Sequence, residues 1–510
     1  MSPFGVDGGV FSQPRVGGAA SASRRCERAR GGQTEAGLKP TVDSSGGTVR
    51  MKLASQVAFG VIAATLTLST ALSGAALAGT LSETVQFAIS THPDVKEAAA
   101  NRRATEAELR EARGLYYPRL DARAGIGPEW SLNTTTSPRP GGWLGRMESD
   151  LTLQQLLFDG FAREGEVEKR ASRVDAASYR VRERSEVIAL NSTQAYLDVL
   201  RNQELVQLAK DNVDIHQGIT DDVRSRVQGG QSGIGDQQQA EARLATAKNT
   251  LIRAEKDLED ATASFIRFVG EAPSDLVLPE LSEALLPASV DDAVGQSRSN
   301  NPAIRAVGAD IDVTHGERRV VEGDFYPTFR VEITGSRNRH IDGTQGPNHD
   351  FLAMLRMQWN LFNGGQTTAR KMEAIERITE SREAFLGVQR LIEESVRLAW
   401  IATENAKRES LTLNDLVLAN SQVVSTYRQE FEIGQRDLLD LLDSENELFL
   451  ARSRLITADF VVMFGKYRIL ADTGKLLDGL DLKVMAEQGT GYRAGAGVHP
   501  DWQPGKGLTK

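Results

Sequence analysis

The sequence predicts a mixed, mainly α fold: long antiparallel coiled-coil helical hairpins joined to four alternating β-strands, with the arrangement written twice along the chain. Three observations carry this. Landmark residues recur at a fixed spacing: Gly230 and Gly434, Asp236 and Asp440, and Gly270 and Gly474 each stand 204 apart. Two stretches of about 67 residues, from Ala162 and from Thr367, lack proline and nearly lack glycine, so each could extend about 100 Å as one helix. Short segments between the landmarks alternate apolar and polar residues with the period of a strand. A repeat of this length implies two equivalent halves, neither able to bury its apolar faces alone.

Residues 1–50 are rich in Gly, Arg and Ser and read as an upstream or disordered extension. Met51 and Lys52 open an apolar, small-residue run ending in Ala76-Leu77-Ala78, which reads as a secretory signal cleaved before Gly79. A transmembrane anchor is the alternative; the Ser and Thr within the run and the A-x-A site argue against it. Cys26, the only cysteine, lies upstream of that site, so the mature chain has no disulfide or thiol chemistry and no cysteine for lipid modification. A net charge of −9 and 40% hydrophobic residues fit neither a polytopic helical membrane protein nor a disordered chain. No basic, aromatic-interleaved patch points to nucleic acid.

The first repeat is expected over residues 79–271. Its helical pattern runs from Leu81 to Leu115, with Pro93 opening a second helix. A strand follows in which Leu120, Ala122, Ala124 and Ile126 oppose Arg119, Asp121 and Arg123, and a second has Leu151, Leu153 and Leu157 opposite Thr152 and Gln154. After a linker over 272–289, the second repeat, 290–474, sets Phe329, Val331 and Ile333 against Arg330, Glu332 and Thr334. It then sets Leu355, Met357, Trp359 and Leu361 against Arg356, Gln358 and Asn360. A sandwich with its polar face outward and a water-filled membrane barrel with that face inward both fit this alternation. Four strands close no barrel, and open edges are not tolerated in lipid, so a membrane reading requires several copies to pool their strands. Each long helix turns at a glycine into a shorter antiparallel partner, Asp236 to Val269 and Asp437 to Asp472. Residues 475–510 are expected to form a flexible tail.

The chemistry-bearing motifs are few. The run Gly229-Gly230-Gln231-Ser232-Gly233-Ile234-Gly235 lacks the Lys-Ser/Thr ending of a phosphate loop and reads as a helix-to-helix turn. His340 with Asp342 and His349 with Asp350 lie in a Gly-rich loop without metal-ligand spacing. No catalytic arrangement stands out, so no enzyme, cofactor or metal is expected. One cluster is unusual. Asp437, Asp440 and Asp443 recur at i, i+3, where like charges repel; the helix dipole would account for Asp437, while Asp440 and Asp443 read as too deep for that explanation.

These features together resemble the TolC family of outer-membrane export ducts. The resemblance rests on Thr91-His92-Pro93 and Asn300-Asn301-Pro302, on Tyr117-Pro118 and Tyr326-Pro327, and on Phe158-Asp159-Gly160 and Phe362-Asn363-Gly364. It rests also on the run from Phe431 through Gly434, Arg436 and Asp440 to Asp443. The strings Gly114-Leu115-Tyr116-Tyr117-Pro118-Arg119, Gln155-Leu156-Leu157-Phe158-Asp159-Gly160 and Ala195-Tyr196-Leu197-Asp198 are most similar to the branch serving type I secretion of adhesins, the agglutination-protein type. The resemblance implies a homotrimer with a twelve-stranded barrel in the outer membrane and a helical tunnel in the periplasm. Its implied partners are a periplasmic adaptor, an inner-membrane ABC transporter, an exported protein and outer-membrane lipid. Small-molecule or multidrug efflux is the alternative within transport, and a structural coiled-coil envelope protein the alternative outside it. By position, Asp440 and Asp443 fall on the family's aspartate rings at the periplasmic aperture, Arg436 on a basic residue that ties it shut, and Asp236 on the facing hairpin. Phe431 stands where the family often has Tyr. Gly230 and Gly434 fall at the tips that adaptors contact, and Leu151, Leu153, Leu355, Met357 and Trp359 on the lipid face.

Overall fold

The computed structural model describes residues 79–133, 142–483 and 485–493. The extension, the signal with its cleavage site and the end of the tail lie outside them. Helix α1 (Leu81–Thr91) starts where the Thr80 hydroxyl accepts the Glu83 amide, and α2 (Pro93–Gly114) starts on a first-position proline with His92 accepting the Asp94 amide. Strands β1 (Arg119–Glu129) and β2 (Leu144–Phe158) follow, then the 67-residue α3 (Ala162–Gln228) and its return partner α4 (Ile234–Val269). The same order then recurs as α5 (Val290–Asn300), α6 (Pro302–Gly323), β3 (Thr328–Arg339), β4 (Pro347–Gln358), the 67-residue α7 (Gln366–Glu432) and α8 (Leu438–Asp472). No helix among the described residues is long and apolar enough to cross a membrane.

Helix α3 is the hub, packed by α1, α2, α4, α6 and α8. Its surroundings explain why polar Glu168, Ser172, Ser178 and Ser185 on it are buried along with Val174, Val181 and Tyr196. The largest core joins Val85 and Ile89 of α1, Tyr196 and Leu197 of α3, Phe265 of α4 and Tyr467 and Leu470 of α8. Within it the Tyr196 hydroxyl accepts the Val277 amide at 2.9 Å and donates to the Gly79 carbonyl, which pins the inter-repeat linker to the segment leading into α1.

The four strands form one antiparallel sheet in the order β1-β2-β3-β4. Directly opposed residues share a face, so Leu120, Leu153, Ile333 and Ala353 make one apolar row across it, and Ala122, Leu151, Gly335 and Phe351 the next. The other face carries the rows Arg123-Asp150-Ser336-Asp350 and Arg119-Gln154-Glu332-Met354. Two details differ from the sequence expectation. A bulge between Leu156 and Phe158 places Phe158, rather than Leu157, opposite Phe329. Trp359 falls one residue past β4, and its indole N–H donates to the Phe325 carbonyl at 3.2 Å.

The tail expected to be flexible from residue 475 is structured as far as Arg493. Leu476–Gly479 form helix α9, Ala486–Gln488 a 3₁₀ turn, and Leu476 and Leu477 are buried in the main core. The Gly-rich composition hid this because the docking depends on partners far upstream in the chain.

Candidate aperture at the hairpin tips

The two helical reversals are built alike. In the first, the Gly230 amide donates to the Val227 carbonyl at 3.0 Å and Gln231 to Arg226 at 2.8 Å; in the second, Gly434 donates to Phe431 at 3.1 Å and Gln435 to Glu430 at 2.8 Å. These paired bonds satisfy the last helical carbonyls and require a left-handed residue, which φ of +72° at Gly230 and +78° at Gly434 supplies. A Cβ at either glycine would meet open space, so the backbone alone dictates the residue.

Asp236 and Asp440 both occupy the third position of their helices. The Asp236 carboxylate accepts the Gly233 amide at 3.3 Å, capping its own helix instead of reaching the other hairpin. Because α8 begins at Leu438, Asp440 lies in the first turn, where the helix dipole favours a carboxylate after all. Only Asp443 remains too deep for that account. Arg436 is held within its own hairpin: it meets Glu430 at 2.8 Å and Asp440 at 3.2 Å, and its guanidinium lies 4.0 Å from the centre of the Tyr427 ring. Glu430 first, then Asp440, raise its pKa further, keeping it cationic.

The ties that cross between hairpins come from the first one. Arg243 of α4 pairs with Asp443 of α8 at 2.6 Å. Arg226, in the last turn of α3, lies 4.4 Å from the centre of the Phe431 ring and donates to the Phe431 carbonyl at 3.1 Å and the Glu432 carbonyl at 3.5 Å. Phe431 itself is 9% exposed, enclosed by Ile219 and Val223 of α3, Ala240 of α4, and Leu438, Leu441 and Leu442 of α8. Behind this knot His216 is buried, and burial followed by the nearby Arg243 charge pushes its pKa down, leaving it neutral. The structure thus gathers Phe431, Arg436, Asp440 and Asp443 into one end of the helical body. Arg226, Arg243, Tyr427 and Glu430 belong with them and carry no motif that singles them out. Among the described residues no group of acidic, His or Cys side chains could hold a metal ion.

At the other end, the apolar sheet face is uncovered. Leu120 is 62% exposed, Ile126 81%, Phe351 77% and Met357 60%, and among the described residues no helix packs across them. A contiguous apolar face of this extent is what a soluble surface avoids.

The family model "Outer membrane efflux protein" matches residues 84–271 and 293–460. The chain belongs to that family, whose members are channel-forming transport proteins of the outer membrane and not enzymes. The chain is similar to the outer membrane efflux protein BepC of Brucella suis, with 26% identity over 427 residues that cover 83% of this chain and 92% of the relative. Outer membrane protein TolC of Escherichia coli is 20% identical over 412 residues, 78% of this chain and 82% of its own. The proteases secretion protein PrtF of Dickeya chrysanthemi is 23% identical over 412 residues, 75% and 85% of the two chains. The crystal structure of the Campylobacter jejuni CmeC outer membrane channel has the same fold, with a TM-score of 0.69 at 14% identity over 78% of this chain and 86% of that one.

Proposed function

We propose that the chain is one subunit of a trimeric duct that exports proteins. Three copies join β4 of one subunit to β1 of the next, closing a twelve-stranded barrel with the apolar rows in lipid and the charged rows lining water. The observation that carries this reading is the four-stranded sheet with one uncovered apolar face and two open edges. In lipid such edges must pair, because every backbone polar group has to be satisfied there.

The two helical hairpins of each copy then form a periplasmic tunnel, closed at the tips by Phe431, Arg436, Asp440 and Asp443 and opened when an adaptor engages the reversals at Gly230 and Gly434. Energy comes from an inner-membrane ABC transporter, and the duct contributes a path. Protein cargo is favoured by the strings around Tyr117, Phe158 and Tyr196 and by similarity to a relative named for protease secretion. Small-molecule efflux is the second reading, favoured by similarity to a relative named as an efflux protein. Reconstitution in a planar bilayer tests the duct: a trimer without conductance would overturn it. Loss of one secreted protein without drug hypersensitivity in a deletion strain supports protein cargo, and the reverse pattern supports efflux.

A further inference from the structure

The C-terminal segment lies on a cradle whose chemistry is otherwise unexplained. Glu168, Asp175 and Arg182 stand seven residues apart on α3, which places them on one stripe of the helix. Glu168 is 2% exposed and Asp175 8%, and Asp312 of the neighbouring α6 is 7% exposed. Buried carboxylates are costly unless paired and hydrogen-bonded.

Most of the partners of this cradle come from the tail. Asp478 pairs with Arg182 at 2.8 Å, and Glu487 with Arg103 of α2. Gln488 donates to the Ser185 hydroxyl at 3.2 Å. Three successive amides, Gly491, Tyr492 and Arg493, donate to the Asp175 carboxylate at 2.7, 3.0 and 3.0 Å. The Tyr492 ring lies against an apolar cluster of Leu109, Ala112, Val167, Ala171 and Val174, and its hydroxyl accepts from Arg102. Arg493 then reaches between helices, meeting Asp312 of α6 at 2.5 Å and Glu168 of α3 at 3.5 Å; Arg319 of α6 meets the same Glu168 at 2.9 Å.

We propose that residues 486–493 are an intramolecular strap that fastens α2 and α3 of the first half to α6 of the second, with Arg493 as its locking residue. The amide triad on Asp175 fixes the path of the strap, and the Arg493 guanidinium neutralises one carboxylate from each half. Removing the strap leaves Asp175 and Asp312 without their main partners.

The test compares full-length protein in detergent with Arg493→Gln, Asp175→Asn and a chain ending at Met485. All three should melt about 3 °C or more lower, since each breaks a buried charged contact. In a double-mutant cycle, Asp312→Asn should add little to Arg493→Gln, because both remove one interaction. If the shortest chain does not fold, the point variants decide. Arg493→Gln melting within about 1 °C of the parent, or fully additive effects in the cycle, overturns the strap.

Discussion

Replacing Arg226 by Gln removes the contact that joins the end of α3 to the end of α7 while keeping most of the side-chain stem. The structure gives the magnitude. The bond to the Phe431 carbonyl at 3.1 Å is well placed, whereas the one to Glu432 at 3.5 Å is at the limit and adds little. A charged donor on a half-buried carbonyl contributes about 1–2 kcal/mol, and a guanidinium over a partly covered ring about 0.5–1 kcal/mol. The C-terminal carbonyls of α7 also carry the negative end of its dipole, so a cation there is favoured. A loss of about 2 kcal/mol moves an equilibrium about 30-fold. Where opening parts the two hairpins, the variant should therefore raise the fraction of time the reconstituted duct conducts at rest by that factor; in either case it should speed amide exchange at Ile433 and Gly434. Arg226→Lys should recover part of the effect, since a point charge can take one carbonyl but cannot stack as a guanidinium does. Parental resting conductance together with parental exchange at both amides would refute the idea that Arg226 couples the two tips.

Four further outcomes follow from the same geometry. Leu153→Arg combined with Met357→Arg should lower trimer yield in membranes, because a cation facing midplane lipid costs about 2–4 kcal/mol at each site; normal yield would mean the sheet faces are reversed. Gly434→Val should abolish secretion with the trimer intact on gels, since a β-branched residue at a φ of +78° is strained by about 1–2 kcal/mol or more; undiminished secretion with normal adaptor crosslinking removes the docking role. Asp440→Ala with Asp443→Ala should abolish block by multivalent cations in single-channel recordings, and wild-type block in that variant would place these carboxylates away from the conducting path. Burial holds the Glu186 carboxyl up at about 8, with Arg182 opposing and Asp478 adding to the rise. The stability that the neutral carboxyl lends to the docking of α9 is therefore fully present below the ordinary glutamate range and lost as pH rises through about 8. Protection of the Leu476 and Leu477 amides, corrected for the intrinsic rise of exchange with pH, should fall from about pH 5 to about pH 8, and Glu186→Gln should flatten that dependence.

What the sequence discloses is what depends on neighbours along the chain. The long helices end where Gly230 and Gly434 make a left-handed turn available, and Pro93 and Pro302 open α2 and α6 at their first positions, so those boundaries are visible without a structure. Strand β2 is instead longer than its pattern suggests. Before Leu151 its apolar face offers only Gly145, Met147 and Ser149, too little for alternation to register, and pairing with Ala124 and Ile126 of β1 extends it back to Leu144. The strap is hidden for a related reason. A Gly-rich run reads as disordered on composition, while its order comes from Asp175, more than 300 residues away.

The aperture shows the same division within a single site. The pairing of Arg436 with Asp440 is an i, i+4 contact and could be read from spacing, yet it stays inside one hairpin and cannot by itself hold two hairpins together. The contacts that do cross, Arg243 to Asp443 and Arg226 to the end of α7, join residues about two hundred positions apart, a separation at which spacing carries no information. Opening the tips must break these contacts if the hairpins separate, and can spare them if both hairpins of a subunit move as one body. Asp443 is half exposed beside Arg243 and Phe431 is enclosed by helices from both hairpins, so separation also exposes an apolar knot to water. Movement as a unit avoids that cost, which makes the Arg226 variant the sharper probe: it should raise resting conductance only if the hairpins of one subunit part from each other.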